Sequence, residues 1–340
     1  MFRLFLLFSL ATIPFAFAQF DTIPAHSDTE ITIAVGSCNK QKLDQPFWNV
    51  MANEKPDVFV WGGDIIYADT QRMDVLEGQY ELQNNRPDYK KFKEKIPVVG
   101  TWDDHDYGDN DSGAEFPEKK KSQQLFLDFL DVPRDSPRRT QKGIYFSHVV
   151  SSEGGSVKIL VLDTRYFRSP LVDSKAKNKR YQPTTDTTTT ILGAKQWQWL
   201  DNELHNSSEE FVLIVSSIQV LSDEHGFETW GNFPHEQRRL EKMIQRSPAT
   251  VLIVSGDRHI SEVSQKAIPG ITDPLIDFTS SGLTHAYDKY TGEPNSHRVS
   301  ETIFEPSFGL IRFNLKRNEV IFEIRNVEKV LESYSVSYGD

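Results

Sequence analysis

Six segments of the chain read as buried strands: 31–39 (ITIAVGSCN), 56–64 (PDVFVWGGD), 96–106 (IPVVGTWDDHD), 157–166 (VKILVLDTRY), 210–220 (EFVLIVSSIQV) and 249–259 (ATVLIVSGDRH). Each is a run of β-branched and aromatic residues that stops at small and polar ones. The runs are continuous rather than alternating, which is the pattern of strands covered on both faces. Between them lie stretches with helical spacing. Leu125, Phe126, Phe129 and Leu130 fall on one face of 117–133, and Pro133 ends that pattern. Trp197, Leu200 and Leu204 share a face in 193–206, as do Leu240, Met243 and Ile244 in 234–248. Helices alternating with strands predict an α/β layered domain. The C-terminal part changes character: 273–282, 307–315 and 318–326 read as antiparallel strands with short turns. Two polar stretches, 173–190 with its threonine run and 288–301, read as surface loops. No internal repeat is visible, and one domain is expected from about residue 28 to residue 340.

Composition narrows the function classes. The 340 residues carry a net charge of −11, which argues against bulk attraction to nucleic acid or to anionic membranes. It leaves room for an anionic substrate, because a bound cation reverses the sign of a site locally. The N-terminus has the parts of a secretory signal: Arg3, an apolar run from Leu4 to Leu10, and the small-x-small Ala16-Phe17-Ala18. A signal peptide over residues 1–18 is therefore expected, with cleavage before Gln19 and a secreted or periplasmic destination. No later apolar run is long enough for a membrane span. Cys38 is the single cysteine and has no intramolecular disulfide partner. An exported thiol of this kind is buried and inert, pairs between chains, or binds something.

The unusual residues sit at the ends of the apolar runs. Cys38 follows VGS. Asp64 and Tyr67 follow WGG. Asp103, Asp104, His105 and Asp106 follow GTW, and Asp257 and His259 follow SG. In open α/β sheets ligands bind beyond the carboxyl ends of the strands, so these groups are expected on one edge. A thiolate, a phenolate, a carboxylate and an imidazole suit a trivalent metal such as ferric iron. Several carboxylates suit a second, harder cation such as Ca²⁺, Mg²⁺ or Mn²⁺. An aspartate shared by two metals ~3.5–4 Å apart would build a phosphoryl-transfer site. Each motif alone has an ordinary explanation, as a turn, a core cysteine or an acidic loop. Their order, each at the end of an apolar run, favours the metal site. A cysteine nucleophile is disfavoured, since GSCNKQ is not a long phosphate-cradling loop.

The ordered set GSC, GGDxxY, WDDHD, LDTR and SGDxH resembles the PhoD-like alkaline phosphatase/phosphodiesterase family, within the calcineurin-like metallophosphoesterase superfamily. The likeness runs from Ile31 to His285 in SSGLTH, and the early position of GSC suggests a compact member without an N-terminal accessory domain. The resemblance implies a four-layer α/β/β/α sandwich with two mixed sheets. It implies iron(III) held by Cys38, Asp64, Tyr67 and His259, with Asp64 bridging. Asp104 and Asp257 would bind the second metal, calcium in this family, with zinc, manganese or magnesium as alternatives. His105 would contact phosphate oxygens or protonate the leaving oxygen. Arg165 resembles a phosphate-clamping arginine; a structural pair with Asp163 is the other reading. Asn39 and His285 are candidate substrate contacts, and a packed or capping role for His285 stays open. The implied activity is hydrolysis of small phosphate monoesters and/or diesters by a metal hydroxide at a dinuclear site. Phospholipase D-like diester hydrolysis and a non-catalytic metal- or phosphate-binding protein are the alternatives.

Overall fold

The computed structural model describes residues 21–27 and 29–339. The expected signal peptide lies outside the described residues. Fifteen strands and seven α-helices are present among the described residues. The strands are β1 Asp21–Pro24, β2 Glu30–Gly36, β3 Val58–Gly62, β4 Val98–Thr101, β5 Phe146–Ser152, β6 Gly155–Val161, β7 Val172–Asp173, β8 Tyr181–Gln182, β9 Phe211–Val215, β10 Thr250–Ser255, β11 Ser261–Lys266, β12 Leu275–Ser280, β13 Phe308–Asn314, β14 Glu319–Arg325 and β15 Val330–Ser337. The helices are α1 Phe47–Asn53, α2 Met73–Asn84, α3 Pro87–Lys93, α4 Asp104–Tyr107, α5 Lys119–Phe129, α6 Gly193–His205 and α7 Pro234–Ile244.

Two mixed sheets form the body. One has the order β1-β5-β6-β9-β10-β12-β11, the other β15-β14-β13-β2-β3-β4. β6, β9, β10 and β12 run parallel in the first, and β2, β3 and β4 run parallel in the second. The strand periodicity of two assigns the layers. Along β6, β9 and β10, Leu160, Val212, Ile214, Val251 and Ile253 pack with α6 and α7 through Trp197, Leu200 and Leu240. Their alternates Ile159, Val161, Leu213, Val215, Leu252 and Val254 join the core shared with the second sheet. Phe211 meets Phe313 at 5.3 Å and Phe278 meets Phe322 at 5.4 Å across that interface. On the outer face of the second sheet, Phe59 and Trp61 pack against Trp48 of α1 and Tyr89 and Phe92 of α3. The result is the expected α/β/β/α layering.

Several boundaries differ from the sequence reading. The fold begins before residue 28, because β1 pairs in parallel with β5, Ile23 opposite Val150. The polar tails of the predicted strands are loops: β4 stops at Thr101, and Asp104–Tyr107 is a helical turn. Asp103 and Asp106 cap that turn reciprocally, which diverts the chain from the sheet. Likewise β6 stops at Val161, and the Asp163 carboxylate folds the following loop by accepting from the amides of Arg165 and Tyr166. β5, β11, β15 and helices α1–α3 carry no signal strong enough to separate them from their flanks. β15 alternates exposed and half-buried residues because it is an edge strand.

Candidate metal centre

The parallel strands of both sheets end at the same edge, and their following loops converge there. Four of the converging residues have left-handed backbones: Cys38 (φ 56°), Asp64 (φ 52°), Asp257 (φ 67°) and His259 (φ 58°). For non-glycine residues each such conformation costs of order 1–3 kcal/mol and collects at functional sites. The sheets approach closely because glycines stand where they meet. A Cβ on Gly63 would lie 2.6 Å from the Asp103 Cβ, and one on Gly256 would lie 2.6 Å from the Gly62 carbonyl oxygen.

Asp64 is the centre of the cluster. Its Oδ2 lies 3.0 Å from the Tyr67 hydroxyl and 3.5 Å from Cys38 Sγ. The Tyr67 hydroxyl lies 3.1 Å from His259 Nε2. The other oxygen, Oδ1, faces the His105 amide at 3.4 Å. Ligand atoms of Cys38, Asp64 and His259 lie within 4.8 Å of one another, as do those of Asp64, Asp104 and His105, and those of Asp103, Asp104 and Asp257. Asp64 thus belongs to two of the groups, and Asp104 links the second to the third.

The electrostatics are those of anionic donors crowded out of water. Burial, with Cys38 and Asp104 nearby, holds the Asp64 carboxyl well above the usual carboxylate range. Burial and the neighbouring Asp103 do the same to Asp257. Burial pushes the Cys38 thiol up to about 12, and burial with Asp64 raises the Tyr67 phenol. Burial, with His285 and Arg258 adding to it, pushes His259 down to about 3, so its imidazole is neutral, the form that ligates metal. Asp104 is the exception: burial opposes ionisation, yet Arg165, His105 and the Asp111 amide bring it down to about 2. Asp103 Oδ2 is buried with no hydrogen-bond partner. Donors that are deprotonable, convergent and short of positive partners fit polyvalent cations, which remove both the repulsion and the burial penalty.

Among the other predicted residues, His105 lies at this edge with Nδ1 2.7 Å from Asp69 Oδ1 and its ring 4.2 Å from that of Tyr67. Burial favours its neutral form, but Asp64 and the Asp69 hydrogen bond prevail and push it up to about 10. His285 also joins, its ring 4.1 Å from His259 and its Nε2 3.1 Å from Lys40 Nζ. Arg165 does not face a substrate space. It is fully buried, with Nε donating to Asp103 Oδ1 at 2.6 Å and Nη1 to Glu228 Oε2 at 2.6 Å. Arg168 holds the other Glu228 oxygen at 2.8 Å. Arg165 is therefore an anchor behind the carboxylates, and only its backbone amide touches Asp163. Asn39 is likewise turned inward: its amide donates to the Ile65 carbonyl at 2.9 Å and to Gln83 at 3.0 Å. Both orientations follow from burial, since polar groups removed from water must find internal partners.

Four contributors escaped the sequence reading, and a fifth, Asp106, was expected at this edge but without a role. Asp69 holds His105, and Asp106 accepts from Ile65 and Asp103 amides to tie two loops together. Ser281 touches both Cys38 Sγ, at 3.1 Å, and the His259 amide, at 2.7 Å. Glu228 pairs with Arg165 and Arg168, and Lys40 meets His285. Asp106 and Ser281 lie inside noticed motifs, so position alone marked them. Lys40 and Asp69 belong to ordinary loops, and nothing local distinguishes them.

The layered α/β sandwich is an architecture found in solved structures. The fold is similar to a structure of PhoD, with a TM-score of 0.73 at 18% identity over 92% of this chain and 71% of that chain. It is also similar to GAP50, the anchor in the inner membrane complex of Plasmodium, with a TM-score of 0.60 at 12% identity over 92% of this chain and 90% of that one. In sequence, residues 33–315 match the PhoD-like phosphatase family, and the chain belongs to that family. Alkaline phosphatase D of Bacillus subtilis (strain 168) is 24% identical over 293 residues, 71% of this chain. The chain spans about half the length of that curated relative, 48%.

Proposed function

We propose that the chain is an exported, metal-dependent hydrolase of small phosphate monoesters and/or diesters. The observation that carries the reading is the sharing of Asp64 and Asp104 among three convergent donor groups. Cys38, Asp64, Tyr67 and His259 would hold ferric iron, and Asp64, Asp104 and Asp257 would hold calcium. Bound cations of this kind polarise phosphoryl oxygens and lower the pKa of water.

The chain's own residues do the rest. Asp69 fixes His105 through Nδ1, which leaves Nε2 to bond a phosphate oxygen or hand a proton to the leaving oxygen. Arg165 holds Asp103 beside the ligands rather than touching substrate. His285 and Lys40 close the Tyr67 side of the site. Exposed Phe227 and Tyr287 at the cleft rim favour, as a second reading, diesters with an apolar group of the phospholipid kind. Among the described residues no helix is long and apolar enough to cross a membrane. Cleavage before Gln19 belongs to the proposal, and N-terminal sequencing of the exported chain tests it.

The functional test measures metal content, visible spectrum and hydrolysis of p-nitrophenyl phosphate and bis-p-nitrophenyl phosphate side by side. Iron and calcium near one each per chain, a visible band lost in Tyr67→Phe, and turnover of either ester are expected. Absence of turnover with any added metal would reject the enzyme in favour of a binding protein. Turnover with zinc or manganese and no iron band would replace the metals and keep the reaction.

A further inference from the structure

The cleft above Asp104, His105, Asp257 and His259 has a volume of about 280 Å³. Its wall carries two guanidiniums that the chemistry above does not use, Arg180 and Arg258. Arg258 is only 9% exposed and stacks 4.2 Å from the Phe227 ring. Its Nη2 donates to Glu293 Oε1 at 2.5 Å. The remaining donors are unused: Nε is buried without a partner, and Nη1 has Asp257 at 3.9 Å, beyond hydrogen-bond length. Arg180 sits on the Tyr181 ring at 5.2 Å, with Nη1 2.7 Å from Asp111 Oδ2 and half its side chain exposed.

A guanidinium has five donors, and one carboxylate takes at most two of them. Both arginines are thus held in place by a ring and a carboxylate and are not saturated. Burying such a group costs desolvation and rotamer freedom. A second anion in the cleft would use the idle donors. The small volume fits a compact leaving group rather than a long one.

We infer that Arg180 and Arg258 form a specificity site for phosphate esters whose leaving group carries a second anionic group, a phosphate or a carboxylate, close to the scissile phosphorus. The inference rests on the phosphoesterase reading above. The test compares kcat/KM for glycerol 3-phosphate, for 3-phosphoglycerate, which adds a carboxylate, and for 2,3-bisphosphoglycerate, which adds a phosphate as well. It uses the metal-loaded wild type, Arg258→Gln and the surface variant Arg180→Gln. The wild type should prefer at least one doubly anionic ester by about tenfold or more, the value of one hydrogen bond to a charged group. That ratio should fall by about tenfold in either variant. Which ester is preferred separates carboxylate from phosphate. Hydrolysis of all three without preference, or a ratio unmoved in both variants, would overturn the specificity site alone. Failure to hydrolyse any of them, with turnover of bis-p-nitrophenyl phosphate retained, would overturn the specificity site alone, and failure on both nitrophenyl esters as well would overturn the phosphoesterase reading and this inference with it.

Discussion

Replacing Arg165 by methionine separates an anchor from a substrate clamp. The side chain is fully buried, and its guanidinium pairs with Asp103 and Glu228, which are themselves buried. Methionine fills much of the volume but leaves two carboxylates facing each other without their shared cation. Removing one partner of a buried ion pair costs about 3–5 kcal/mol. Arg168 still holds one oxygen of Glu228, so the lower half of that range is the expectation for this site. About 3 kcal/mol is roughly a hundredfold in the folded-to-unfolded ratio. With a urea slope of ~2–3 kcal/mol/M, the unfolding midpoint should move down by about 1–1.5 M. The assay is urea denaturation of wild type, Arg165→Met and Arg165→Lys, each after chelation and after reloading with metal. Lysine restores the charge but not the fork geometry, so it should recover part of the loss. A midpoint unchanged in Arg165→Met, together with a large rise in KM for p-nitrophenyl phosphate, would refute the anchor and restore the clamp.

Three further outcomes follow from the same geometry. Gly63→Ala should destabilise the chain by about 2 kcal/mol or more and lower metal occupancy, because Gly63 has φ +98° and the new Cβ would press on Asp103; unfolding and metal analysis check both effects. His148 is held neutral by burial and the nearby Arg138, with its pKa lowered to about 3. Its folded pKa lies below its unfolded one, so its contribution is complete above about pH 6.5 and is lost as pH falls toward 3, with a slope of up to about 1.4 kcal/mol per pH unit; His148→Gln should flatten the stability–pH curve in that window. Cys38 is buried with its thiol pushed up to about 12, so in metal-free protein it should react with a thiol reagent only after unfolding; fast native labelling would contradict the burial.

Much of this protein is legible in its sequence, because the signals involved are local. Continuous runs such as VFVWG and TVLIV can be stable only when both faces are covered, and they became β3 and β10, interior strands of the two sheets. The ends of those runs announced Cys38, Asp64, Asp104, Asp257 and His259, because a polar or ionisable residue directly after a buried strand has few places to go except the sheet edge. Side-chain direction was not legible. Arg165 and Asn39 stand within motifs, yet each is claimed by partners far away in sequence: Glu228 is 63 residues from Arg165, and Gln83 is 44 residues from Asn39. Asp69 and Lys40 acquire their roles only because folding brings them to His105 and His285, the latter 245 residues from Lys40. The sequence determined which chemical groups the site contains, since burial pattern and residue type are properties of short segments. The tertiary structure decided which of them face the cleft and which stand behind it, since each buried polar group takes the partners that packing of the two sheets makes available.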